Sequence, residues 1–167
     1  KTVVLFTENA QLFSDFYRDL LAVGDENKEL IPSLLHQKAV VVNPEGKLIT
    51  KSLTKKHFDI QLKTPNWEKG QDKLILSTYS QINRGGAEQP KLEWLLSRIG
   101  DEGWLLLDEA HNAAGDSNIS KNLNRLIDKA NGVIFSSATF AKTENNLVLY
   151  EKALPIETEY DKYIKHE

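Results

Sequence analysis

Two adjacent carboxylates and a histidine close an apolar run, Gly103-Trp104-Leu105-Leu106-Leu107-Asp108-Glu109-Ala110-His111. Such a run can cross a parallel sheet covered on both faces, and it delivers Asp108 and Glu109 to the carboxyl end of the strand, where these folds keep their chemistry. One carboxylate can then hold a divalent cation while its neighbour handles an attacking water, as hydrolysis of a phosphoanhydride requires. Acidic residues here can also cap a following helix, so the pair gains meaning only from a second element. A metal-dependent hydrolase with Asp108, Glu109 and His111 as ligands is a weaker reading. Residues i, i+1 and i+3 do not converge easily on one ion from a strand end, and the four histidines are scattered.

The second element is Val133-Ile134-Phe135-Ser136-Ser137-Ala138-Thr139, another apolar strand pattern that ends in Ser-Ala-Thr after an intervening helix pattern. Together the two segments are far more specific than either alone. With Asp108-Glu109-Ala110-His111 as motif II and Ser137-Ala138-Thr139 as motif III, the sequence resembles the first motor domain of superfamily 2 helicases and translocases. Two further stretches narrow the likeness. Residues 2–20, from Thr2-Val3-Val4-Leu5-Phe6-Thr7 through Asn9 and Gln11 to Arg18-Asp19-Leu20, and the strand Leu74-Ile75-Leu76-Ser77-Thr78-Tyr79-Ser80 are similar to the strawberry notch family of helicase-like proteins. The broader group of chromatin-remodelling and restriction-type translocases is the next nearest resemblance.

The resemblance implies a RecA-like α/β domain over residues 1–154, with a mostly parallel sheet flanked by helices, followed by a charged tail or linker at 155–167. It implies ATP and Mg²⁺ as cofactors. Asp108 would coordinate Mg²⁺, Glu109 would orient and polarise the attacking water, and His111 would link motif II to motif III through Ser137 and Thr139. Thr7, Asn9 and Gln11 of motif Ia, with Thr78 and Tyr79, would touch a nucleic-acid backbone, which hydroxyl and amide groups can do without reading sequence. Each of these residues is also an ordinary cap or strand-edge residue. The implied partners are nucleic acid, DNA before RNA, and a second RecA-like domain bearing the arginine fingers.

No Gly-x-x-x-x-Gly-Lys-Ser/Thr phosphate loop occurs in the 167 residues, and the chain opens on a strand pattern without methionine. The expectation is an N-terminally truncated P-loop NTPase domain, inactive alone and an ATP-dependent helicase or translocase in its parent. The alternative is a catalytically silent helicase-like module that docks nucleic acid or protein. An intact hydrolytic pair counts against that alternative.

Composition sets wider bounds. With 40% hydrophobic and 27% charged residues the chain fits one soluble α/β domain, and the absence of cysteine excludes disulfides and thiolate zinc sites. No apolar run suffices to span a bilayer and no leader pattern opens the chain, so the expectation is intracellular, cytoplasmic or nuclear, with no membrane partner. The net charge of −3 leaves local basic surfaces open. Residues 47–73 hold seven lysines against Asp59, Glu68 and Asp72, a net +4. A solvated charged loop is the commoner explanation for such a run, phosphate contact the sharper one. Trp67 within it would stack on a base or anchor a loop.

These residues need elements to position them. Val3–Phe6 reads as a buried strand. Ala10–Val23 carries Leu12, Phe13, Phe16, Tyr17, Leu20 and Leu21 at helical spacing, with Gly24 as its stop. Asn43-Pro44-Glu45-Gly46 joins Ala39–Val42 to Lys47–Thr50 as a hairpin. Pro90 opens a helix running to Ile99, stopped by Gly100. Asn118–Lys129 is amphipathic through Ile119, Leu123, Leu126 and Ile127, with Asn131-Gly132 as its end, and Thr143 would cap a last helix. Strands alternating with helices imply a mostly parallel sheet.

Overall fold

The computed structural model describes residues 1–24, 30–63, 73–137 and 149–150. The strands are β1 (Val3–Thr7), β2 (Ser33–Leu35), β3 (Val40–Val42), β4 (Leu48–Lys51), β5 (Leu74–Thr78), β6 (Trp104–Asp108) and β7 (Gly132–Ser136). The helices are α1 (Leu12–Val23), α2 (Lys55–Lys63), α3 (Pro90–Ile99) and α4 (Asn118–Lys129), with 3₁₀ turns at Tyr79–Ile82 and Ala110–Ala113. Five strands form a parallel sheet in the order β2-β5-β1-β6-β7, while β3 and β4 make a separate antiparallel hairpin. This is the mostly parallel α/β sheet anticipated from the alternation of strands and helices, in the RecA-like arrangement that the resemblance implies.

Period-two alternation distributes the apolar strand residues between two cores. Val4, Phe6, Ile75, Leu105 and Leu107 pack with Leu92 and Leu95 of α3 and Leu123 and Leu126 of α4. Leu5, Leu74 and Leu76 face the other way, onto Phe13 and Tyr17 of α1 and Val41 of the hairpin. The sheet is therefore covered on both faces, as continuous apolar strands demand. On the α1 face that cover thins toward β7, where Ile134 is 49% exposed.

Local chemistry sets the ends of the elements. Pro90 occupies the first turn of α3, where a missing N–H costs nothing, and Gly100 ends that helix at φ 50°. Ser117 caps α4, its Oγ accepting from Ser120 N at 3.1 Å. Buried Asn122 of α4 donates to the carbonyls of Ile82 and Arg84 at 2.7 and 2.8 Å, which fastens the segment after β5 to the helix layer.

Two expectations change and a third is refined. Gly132 does not end α4; it opens β7 beside Trp104, and a Cβ there would lie 2.5 Å from the indole ring, so the pairing requires a residue without a side chain. Gly24 does stop α1, but it does so in an extended conformation. The basic stretch is not simply a loop: it contains β4 and α2, the latter anchored by buried Phe58. Trp67, the helix expected after Thr143 and the tail 155–167 lie outside the described residues.

Candidate functional site

Parallel registration brings the ends of the strands to one row. Thr7 pairs with Thr78, Phe6 with Leu107 and Asp108 with Ser136. The carboxyl edge therefore presents Thr78, Thr7, Asp108 and Ser136 across four neighbouring strands, with Glu109 and Ser137 one residue further on. Five of the ten candidate residues, Thr7, Thr78, Asp108, Glu109 and Ser137, thus converge through sheet geometry alone.

Directly after β6 the chain turns sharply. Glu109 has φ 48° and ψ 44° and is the single non-glycine residue at positive φ among the described residues. A side chain in this left-handed region is strained, and such strain gathers where function constrains the backbone. Glu109 stands at the capping position of the 3₁₀ turn Ala110–Ala113 but makes no side-chain capping bond, so the helix-cap explanation does not account for it. Its carboxylate instead approaches His111, with Oε2 3.1 Å from Nδ1.

The same Nδ1 lies 2.7 Å from Ser137 Oγ. The two contacts meet at one ring nitrogen, which donates to or accepts from Ser137 Oγ according to the imidazole tautomer. His111 thus joins the turn after β6 to the residue after β7. Thr139, its other expected partner, lies outside the described residues.

Asp108 is half-buried, and its carboxylate makes no hydrogen bond or ion pair among the described residues. It opens onto a hollow of about 330 Å³ on the α1 face, with Thr7, Asp15, Asp19 and Ser136 among its walls. No group of three His, Cys, Asp or Glu among the described residues could enclose a metal ion. A magnesium ion here would therefore need phosphate and water oxygens beside Asp108, which is the way Mg²⁺ is commonly held in nucleotide sites. The free carboxylate at a strand end fits that requirement.

Tyr79 takes a place that its sequence position did not suggest. Its ring is 5% exposed and stacks on Phe6 at 5.5 Å, and its hydroxyl donates to the main-chain carbonyl of Asp108 at 2.7 Å. Burial, then the charge of Asp108, push the phenol well above its ordinary range, which keeps it a donor. Tyr79 thus faces the core and the turn after β6. Tyr150, also buried, is raised by burial and then by the charge of Glu109.

The loop after β1 borders an open groove of about 940 Å³ lined by Glu8, Asn9, Gln11, Ser14, His36, Lys38, Thr78 and Ser80, among others. Asn9 and Gln11 are exposed there. Thr7 is buried and donates to Asn9 O at 3.0 Å, while Asn9 Oδ1 accepts from Gln11 N at 2.9 Å. Thr78 is buried with Oγ1 2.9 Å from Ser80 Oγ. Thr7 and Thr78 therefore shape the loop and floor, and Asn9, Gln11 and Ser80 offer the accessible polar atoms. Lys38 and His36 were missed in the sequence, since nothing in their spacing marks them. The described lysines of the basic stretch, Lys47, Lys51, Lys55, Lys56, Lys63 and Lys73, are exposed, but none lines this groove.

The groove and the turn after β6 are adjacent. Asn112 Nδ2 donates to Glu8 Oε2 at 3.2 Å, joining the turn after β6 to the loop after β1. Comparison with family models, curated proteins and solved structures finds no match to this chain. No helix among the described residues is long and apolar enough to cross a membrane.

Proposed function

We propose that these residues are the motif Ia to motif III part of the first motor domain of a superfamily 2 helicase or DNA translocase, nearest in character to the strawberry notch family, in which ATP hydrolysis drives movement along nucleic acid. The observation that carries this reading is the cluster at the sheet's carboxyl edge: an Asp108 carboxylate with no bond among the described residues, Glu109 in a strained turn, and His111 bonded to Ser137. A domain kept only for docking has no need of that strain.

Bound Mg²⁺ would supply charge neutralisation for the phosphates of ATP. Asp108 would hold it, with water and phosphate oxygens completing the shell. Glu109 orients and polarises the attacking water, a job of positioning. Its proximity to His111 fixes the carboxylate's direction. His111 then carries the state of that carboxylate to Ser137 at the end of β7, which suits a switch whose nucleotide state alters domain closure. The groove of Asn9, Gln11, Ser80 and Lys38 would take a sugar-phosphate backbone, DNA before RNA, through contacts that carry no base information. Intracellular action on nucleic acid, in concert with a second RecA-like domain, belongs to the same proposal.

The test is nucleic-acid-stimulated ATP hydrolysis by the longest natural chain containing these residues, native against Glu109→Gln. Stimulated turnover that the substitution abolishes, with ATP still bound, supports the motor. Absence of turnover, or turnover indifferent to Glu109→Gln, rejects it in favour of a docking module.

A further inference from the structure

Glu109 occupies the left-handed region, at a cost that contacts around it must offset. The Asp108–Glu109 peptide is planar, so fixing the Asp108 carbonyl also fixes the Glu109 N–H and limits the φ available to Glu109. That carbonyl accepts the Tyr79 hydroxyl at 2.7 Å, while the Tyr79 ring is immobilised by burial and by its stack on Phe6. We propose that Tyr79 is a positioning residue: it holds the Asp108–Glu109 peptide in the conformation that presents Glu109 to water, and it ties that peptide to the groove. The inference rests on the hydrolytic reading of Glu109.

The tie to the groove is short. Tyr79 follows Thr78, whose hydroxyl contacts Ser80, and both Thr78 and Ser80 line the groove. A backbone seated against Ser80 would thus bear on the residue that holds the Glu109 peptide, with no intervening element. If Tyr79 only filled space, phenylalanine would serve equally well at this position, since the ring makes the packing contacts and the hydroxyl makes one bond.

Tyr79→Phe removes that bond and keeps the ring. In the longest natural chain, the expected result is a roughly two- to tenfold fall in kcat for nucleic-acid-stimulated hydrolysis, the span of one hydrogen bond. KM for ATP and affinity for a single-stranded oligonucleotide should stay unchanged, and amide exchange at residues 109–113 should quicken. In an active parent, an unchanged kcat overturns the proposal, and so does a fall matched by equal losses in both affinities, which would signal general damage. If the native chain shows no stimulated hydrolysis, the motor reading fails by itself. Exchange at 109–113 then still decides Tyr79: quickening upholds its hold on the peptide, and no change overturns it.

Discussion

Replacing Glu109 by glycine and by alanine separates the backbone cost of the turn after β6 from the chemistry proposed for it. Both variants lose the carboxylate and its contact with His111, so the difference between them reports the backbone alone. At an ordinary negative φ, alanine would be the more stable by roughly 0.5–1 kcal/mol, because glycine gives up more chain entropy on folding. At φ 48° and ψ 44° the order reverses, since an L side chain in the left-handed region costs roughly 1–2 kcal/mol that glycine avoids. The balance favours glycine by about 0.5–1 kcal/mol. In a chain of this size that corresponds to a thermal midpoint about 1–4 °C higher. Urea unfolding and a thermal melt followed by circular dichroism would measure it. Alanine as stable as glycine, or more so, would show that Glu109 does not occupy the left-handed region and would remove the strain argument. Both variants should lack stimulated hydrolysis in the full-length protein, so the more stable one is no better an enzyme.

Two further outcomes are expected. Burial, then the charge of Lys91, hold His36 below its ordinary pKa, so the unfolded chain takes up the proton first. Stability should therefore fall as pH drops below about 6.5 and level off once the folded state also protonates, and His36→Gln should remove this component. Identical urea midpoints for native and His36→Gln chains relative to each other at pH 8 and pH 5.5 would refute it. At the β6–β7 pair, Gly132→Ala should destabilise by roughly 1–3 kcal/mol because its Cβ meets the Trp104 ring. A double variant with Trp104→Leu should recover most of that loss in a mutant cycle, and strict additivity would contradict the contact.

Much of the scaffold could be read in advance because its signals are local. Pro90 and Gly100 bracket α3, the Asn43-Pro44-Glu45-Gly46 turn forms its hairpin, and the apolar runs ending at Phe6, Leu76 and Leu107 form adjacent parallel strands. Elements held by few contacts escaped. β2 has only three residues, too few for a period, and α2 is a lysine-rich helix with one fully buried anchor, Phe58. At the site, the apolar run placed Asp108 and Glu109 at a strand's carboxyl end, and the resemblance implied the contact between His111 and Ser137 that the structure holds. Residue type could not separate accessible from buried hydroxyls. Thr7, Thr78 and Tyr79 have the chemistry of phosphate contacts, but the parallel register turns them inward, and Ser80 and Lys38 remain open to a ligand. Side-chain direction at a sheet edge depends on neighbours distant in sequence, which a single segment does not encode.

The placement of Glu109 between two anchors bears on how a motor could use it. On one side the Asp108 carbonyl is held by Tyr79, from the segment that follows β5; on the other, His111 is held by Ser137, just past β7. In the sheet order β5-β1-β6-β7, those anchors lie on opposite sides of β6. A change at the groove and a change at the end of β7 each reach the Glu109 segment through one side-chain hydrogen bond. Coupling over such a distance needs no extended pathway, only a turn with two arrangements of similar energy. A strained residue flanked by two such bonds suits that role, since the loss of either would favour relaxation of the backbone toward negative φ. Glu109 is therefore the point where nucleotide chemistry and strand binding would compete for one peptide, and a comfortable backbone there would leave neither with anything to move.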